Sequence, residues 1–100
     1  MFTFNVKNNE GVVEVTLKGR LDAVVAPELH AELAKLEGSE IKKIVFEVKD
    51  LEYIASAGLR VIIFSKQKLG MNAEVIMRNV QDDVRAVLKM TGCMSFITIE

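Results

Sequence analysis

The chain has 100 residues, half of them hydrophobic and 27% charged, with 13 Lys and Arg against 14 Asp and Glu for a formal net charge of -1. That length suits one compact domain spanning 1–100 with a single packed core, and leaves no room for two. Near-neutrality without a run of like charges provides no broad field to gather nucleic acid or an anionic membrane surface, so neither is an expected partner.

Apolar alternation at Phe2, Phe4 and Val6, and again at Val13, Val15 and Leu17, is broken by Asn8-Asn9-Glu10-Gly11. This pattern predicts two strands joined by a tight turn. Beyond Gly19 the period changes: Leu29, Leu33 and Leu36 fall at i, i+4 and i+7, Pro27 suits a first helical turn, and Gly38 stands just past the end. A helix over 26–37 follows. Ile44-Val45-Phe46-Glu47-Val48 is short, β-branched and flanked by charge, as a largely buried strand is.

A second helix is predicted over 57–69, where Leu59, Ile62, Ile63, the stem of Lys66 and Leu69 trace one stripe and Gly70 is placed to end it. Residues 73–77 read as another strand. Asn79 is the expected N-cap of a third helix, with Asp82 and Asp83 in its first turn and an apolar face of Val80, Val84, Val87 and Leu88, ending before Gly92. Residues 95–99 predict a last short strand. The order β-β-α-β-α-β-α-β implies right-handed crossovers, parallel pairing of the later strands and a helical layer on the sheet. Functional loops in such a sheet gather at the carboxyl ends of the strands, and 19–26 and 50–58 stand out there.

The chain carries few of the common chemical motifs. The six glycines are scattered singly and build no phosphate loop. His30 has no ligand partner at helical or loop spacing, so neither a metal nor a cofactor is expected, and beside Leu29 and Leu33 it reads as a boundary residue. Cys93 is the only cysteine, lies in an apolar segment, and reads as a buried, unreactive thiol. One cysteine forms no internal disulfide, which fits a reducing compartment. The longest uncharged stretch, 90–99, is half the roughly 20 residues of a membrane helix, and the start of the chain lacks a basic-then-apolar signal pattern. The expectation is a cytoplasmic protein. One His and one Cys leave few groups for acid–base or thiol chemistry, so no catalytic residue is assigned and an enzyme is disfavoured.

The segment 51–60, Leu51-Glu52-Tyr53-Ile54-Ala55-Ser56-Ala57-Gly58-Leu59-Arg60, stands apart. It joins a buried strand to an apolar helix through four small residues, with Ser56 where the helix should begin. An N-cap role accounts for the hydroxyl in part, and close helix–sheet packing accounts for the small neighbours. Neither explains a hydroxyl on the functional edge of the sheet among residues too small to hide it. A phosphate there would meet the free N–H groups and positive end of the helix, so the site could hold an added dianion without unfolding.

At these residues the sequence resembles the STAS-domain family, specifically the stand-alone bacterial anti-sigma factor antagonists. The resemblance covers essentially the whole chain and rests on Leu17-Lys18-Gly19-Arg20-Leu21-Asp22, on Ile44-Val45-Phe46-Glu47-Val48 with Asp50-Leu51, and on Tyr53-Ile54-Ala55-Ser56-Ala57-Gly58-Leu59. It implies a STAS-like α/β fold with a small, mixed four- to five-stranded sheet and helices mainly on one face. In such antagonists the loop commonly reads Asp-Ser-Ser-Gly or a near variant, and its first serine is phosphorylated by a serine kinase that is itself the anti-sigma factor.

Matched residue by residue, that serine is Ser56, the glycine that lets the helix start close to the sheet is Gly58, and the acidic residue of the earlier loop is Asp22, beside the phosphosite and in contact with the kinase. Partner binding is expected at Asp22, Ala55, Ala57, Gly58, Leu59 and Arg60. Ala55 stands where the loop aspartate often stands, and Ala57 where a second hydroxyl often stands, which leaves Ser56 as the one acceptor in the loop. The resemblance implies partner switching in transcription regulation: the unphosphorylated form binds the kinase and frees a sigma factor, the phosphorylated form lets go, and a PP2C-type phosphatase restores it.

Between Tyr53 and Ala73 there is no acidic residue, while Arg60, Lys66 and Lys68 are basic. That excess suits an acidic partner or a solvated helix face. Two other readings stay open. One is a non-phosphorylated STAS scaffold or subunit of a signalling or lipid-transport assembly, and the other is a small anion- or nucleotide-binding module using the helix N-terminus. The expected state is a monomer or weak dimer.

Overall fold

The computed structural model describes residues 2–35, 41–69, 73–90 and 97–100. Strand β1, Thr3–Asn9, pairs antiparallel with β2, Val12–Leu21, with Phe4 opposite Leu17 and Val6 opposite Val15. Glu10 and Gly11 turn the chain with φ of 51° and 89°. Two successive positive φ values give the turn a twist that matches the hairpin it closes. Helix α1, Ala26–Ala34, carries Pro27 in its first turn and ends at Lys35. Strand β3, Lys43–Ile54, helix α2, Ser56–Leu69, strand β4, Glu74–Arg78, helix α3, Asp82–Met90, and the short β5, Thr98–Ile99, complete the order. Expectations that rest on Leu36, Gly38, the Leu69 side chain, Gly70, Gly92, Cys93 and residues 95–96 lie outside the described residues.

The strands lie in sequential order β1-β2-β3-β4-β5, and every pair after the hairpin is parallel. Crossovers of one hand that all step the same way along a sheet put their helices on the same face. The core agrees with that argument. Leu29 and Leu33 of α1, Leu59 and Ile62 of α2, and Val84 and Leu88 of α3 join one buried cluster with Val13, Val15 and Leu17 of β2, Ile44, Phe46 and Val48 of β3, and Val75 and Met77 of β4. Phe2, Phe4 and Val6 pack against its margin.

Helix α1 ends at Ala34, short of the expected 37, and the ends of β2 and β3 and the start of α3 differ from the sequence expectation for physical reasons. Strand β2 runs on to Leu21 through register shifts between Thr16 and Lys18 and between Gly19 and Arg20, with Gly19 at φ 94°. Such irregularities hide a strand from a period-2 reading. Strand β3 continues to Ile54 beside it, so the two long loops expected at 19–26 and 50–58 shrink to a short turn after Leu21 and to Ala55 alone.

Asn79 does not cap α3. It sits in the left-handed region at φ 61°, and its Nδ2 donates to Glu47 Oε1 at 2.9 Å and Oε2 at 3.2 Å, fastening the end of β4 to β3. The Arg85 N–H donates to the Gln81 carbonyl at 2.9 Å, so Gln81 is the capping residue of α3.

Candidate functional site

The carboxyl ends of β2 and β3 finish side by side, Leu21 opposite Ile54, and both residues are buried. One step further the Ala55 N–H donates to the Leu21 carbonyl at 2.8 Å, which ties the two chain segments leaving the sheet to each other. The Leu59 N–H donates to the Ala55 carbonyl at 3.0 Å. Ala55 is therefore the N-cap of α2 and Ser56 its first helical residue, which corrects the reading of Ser56 as the cap. A methyl side chain at the cap offers no acceptor to the first-turn N–H groups. Ser56 is exposed, and its hydroxyl has no hydrogen-bond partner among the described residues.

Gly58 owes its identity to space. A Cβ there would sit 2.5 Å from Leu21 Cγ, 2.9 Å from Leu21 Cδ2 and 3.1 Å from the Leu21 carbonyl oxygen. Any larger residue would force Leu21 or the first turn of α2 to shift. Leu59, directly after it, is 3% exposed within the core. Gly58 and Leu59, expected at a partner surface, are thus buried.

Asp22 starts the turn after β2. Its Oδ1 accepts from the Val24 N–H at 3.0 Å and the Val25 N–H at 3.1 Å, and its carbonyl accepts from the Ala26 N–H at 3.0 Å. An aspartate that satisfies the N–H groups two and three residues on fixes a tight turn, and this one delivers the chain into α1. Val24 at the tip is 83% exposed.

Between this turn and α2 lies an open groove of about 280 Å³ lined by Ala23, Ala26, Pro27 and His30 on one wall and Ala57, Arg60 and Val61 on the other. The His30 ring lies 4.3 Å from that of Phe64 between centroids, tilted by 49°. Arg60 is exposed beside it. On the neighbouring strands the Arg20 guanidinium sits 4.3 Å above the Tyr53 ring, a contact that attracts through the ring quadrupole. Lys66 belongs to a different region: its Nζ donates to the Ala73 carbonyl.

Ala55, Ser56, Ala57 and Arg60 thus share the α2 side of the site, with the Asp22 turn held next to them through Leu21. Val24, Ala26, Pro27, His30 and Val61 were absent from the sequence-level site. The one signal for them was the set of alanines at 23, 26 and 57, which lets α1 and α2 approach closely. Among the described residues no group of three or more His, Cys, Asp or Glu could hold a metal ion, and no helix is long and apolar enough to cross a membrane.

The sequence matches the family model described as STAS domain over residues 3–100. The chain belongs to the STAS domain family. BtrV of Bordetella bronchiseptica, named as a candidate anti-sigma factor antagonist, is 30% identical to it over 91 residues, which are 90% of this chain and 78% of BtrV. Among solved structures, an anti-sigma factor antagonist from Mycobacterium paratuberculosis superposes with a TM-score of 0.86 at 22% identity, covering 99% of this chain and 85% of the other. The Bacillus cell fate determinant SpoIIAA in its phosphorylated form superposes at 0.76 with 17% identity, covering 98% and 91%. At such identities the two structures speak for the fold. The five-stranded mixed sheet and three helices of the described residues have the STAS fold, as the sequence resemblance implied.

Proposed function

We propose that this STAS domain is a cytoplasmic anti-sigma factor antagonist. It binds a serine-kinase anti-sigma factor through the 22–25 turn and the first turns of α2, and it is released when that kinase phosphorylates Ser56. The observation that carries the reading is the exposed Ser56 hydroxyl at the first position of α2, without a hydrogen-bond partner among the described residues and set between two alanines that leave it open to a partner's active site. The name of BtrV supports the partner class, and the phosphorylated form of SpoIIAA supports modification as the mode of control.

The chemistry belongs to the partner. Ser56 Oγ attacks the γ-phosphorus of a nucleoside triphosphate held by the kinase, the O–P bond forms, the bond to the bridging oxygen breaks, and the nucleoside diphosphate leaves. The hydroxyl proton passes to a base of the kinase. The product carries about -1.5 to -2 additional charge at neutral pH. At the first residue of a helix that charge meets the positive end of the helix dipole, so the fold tolerates it. At an interface it must be desolvated, which opposes docking onto the mostly apolar groove. Hydrolysis by a PP2C-type phosphatase returns the hydroxyl and completes the cycle. This chain is a substrate and a ligand of other proteins, and performs no catalysis.

Incubating the chain with its kinase and ATP tests the site. One phosphate appears by intact mass on the parent and none on Ser56→Ala. Equal phosphorylation of the two would contradict it.

A further inference from the structure

Ser56 and Arg60 stand at i and i+4 on α2, the spacing at which helical side chains meet. Arg60 is exposed, and among the described residues it has no ion pair or hydrogen bond. The helix offers it no carboxylate: the positions within reach on α2 are Ser56, Ala57, Ile63 and Phe64. The opposite wall of the groove offers none either, since Ala23, Ala26, Pro27 and His30 line it. Four other cations do have a partner: Arg20 over Tyr53, Lys35 with Glu32 at 3.0 Å, Arg78 with Glu100 at 3.6 Å, and Lys66 on the Ala73 carbonyl. Among the described residues Arg60 is thus a cation with no anion, one turn after the serine.

We propose that Arg60 is the intramolecular counter-ion of the phosphate on Ser56. This rests on Ser56 being the phosphorylated residue, and it adds what the modified side chain does next. An acidic group four residues before a basic one is the favourable order on a helix, and guanidinium takes phosphate oxygens through two parallel N–H donors. The phosphate is then held along α2 at the margin of the groove instead of extending into solvent. Release acquires a second component: modification adds charge and also occupies the one cationic side chain that the α2 wall of the groove presents to a partner.

The test installs phosphoserine at position 56 during synthesis, so no kinase is involved, and follows the second ionisation of the phosphate by phosphorus NMR. In the parent phosphoprotein it titrates about 0.3 of a pH unit or more below its value in Arg60→Gln, with Arg60→Lys between the two. The gap narrows at about 1 M salt, where the Debye length falls to about 3 Å. Identical titration in parent and Arg60→Gln overturns the proposal. A merely structural arginine would shift the unfolding midpoint and leave the titration unmoved. Failure of the wider reading looks different: the kinase would modify another residue of the unmodified chain while the titration of installed phosphoserine still responded to Arg60.

Discussion

Gly58 lies so close to Leu21 that a Cβ added to it would stand 2.5 Å from Leu21 Cγ. With the hydrogen bond from the Ala55 N–H to the Leu21 carbonyl, 2.8 Å long, this contact holds the start of α2 against the end of β2. The position of Ser56 relative to the Asp22 turn depends on it.

Gly58→Ala is therefore destabilising. Overpacking costs about 1–3 kcal/mol, which outweighs the gain of up to about 1 kcal/mol from replacing glycine by alanine in a helix. Urea unfolding should show a lower midpoint with an unchanged slope. In a Leu21→Ala background the same substitution should cost markedly less, because the colliding atoms are gone, and additive effects in that double-mutant cycle would refute the contact.

Asp22 acts first as an acceptor for backbone N–H groups. Asp22→Ala should lower stability by about 1 kcal/mol, within the range of lost caps, whereas Asp22→Asn keeps a carbonyl oxygen in place and should recover most of it. Partner affinity separates the two roles. If Asp22 also meets the kinase through its charge, Asp22→Asn binds more weakly despite near-parent stability.

Ala55 occupies the N-cap of α2 without a capping oxygen. Ala55→Asp should raise stability by about 1 kcal/mol through acceptance from first-turn N–H groups and interaction with the helix dipole. A thermal or urea midpoint at or below that of the parent would show that the helix does not begin as described.

Regular periodicity was legible in the sequence, and tertiary compromises were not. Val13, Val15 and Leu17 announced their strand, and the Leu29 and Leu33 stripe announced its helix, because one buried face imposes a fixed period. The ends of β2 and β3 escaped notice because the register shifts near Lys18 and Gly19 break that period while the pairing continues.

Asn79 looked like a cap from its neighbours alone. Its partner, Glu47, is 32 residues away, and a local pattern carries no trace of it. The close approach at Gly58 was legible because small residues between a buried strand and an apolar helix are unusual, whereas the capping role read at Ser56 belongs to Ala55. The groove was not legible, since its alanines have no periodic signature and its walls come from two helices that meet only in the fold.

On the proposed function, phosphate on Ser56 separates this chain from its kinase. The most direct measurement is the affinity of that kinase for the unmodified chain and for the chain carrying phosphoserine at 56, under one set of salt and nucleotide conditions. The expected loss is more than about a hundredfold, which corresponds to roughly 3 kcal/mol. Ser56→Ala should bind like the unmodified chain and Ser56→Asp more weakly. Equal affinity of the modified and unmodified chains would contradict it.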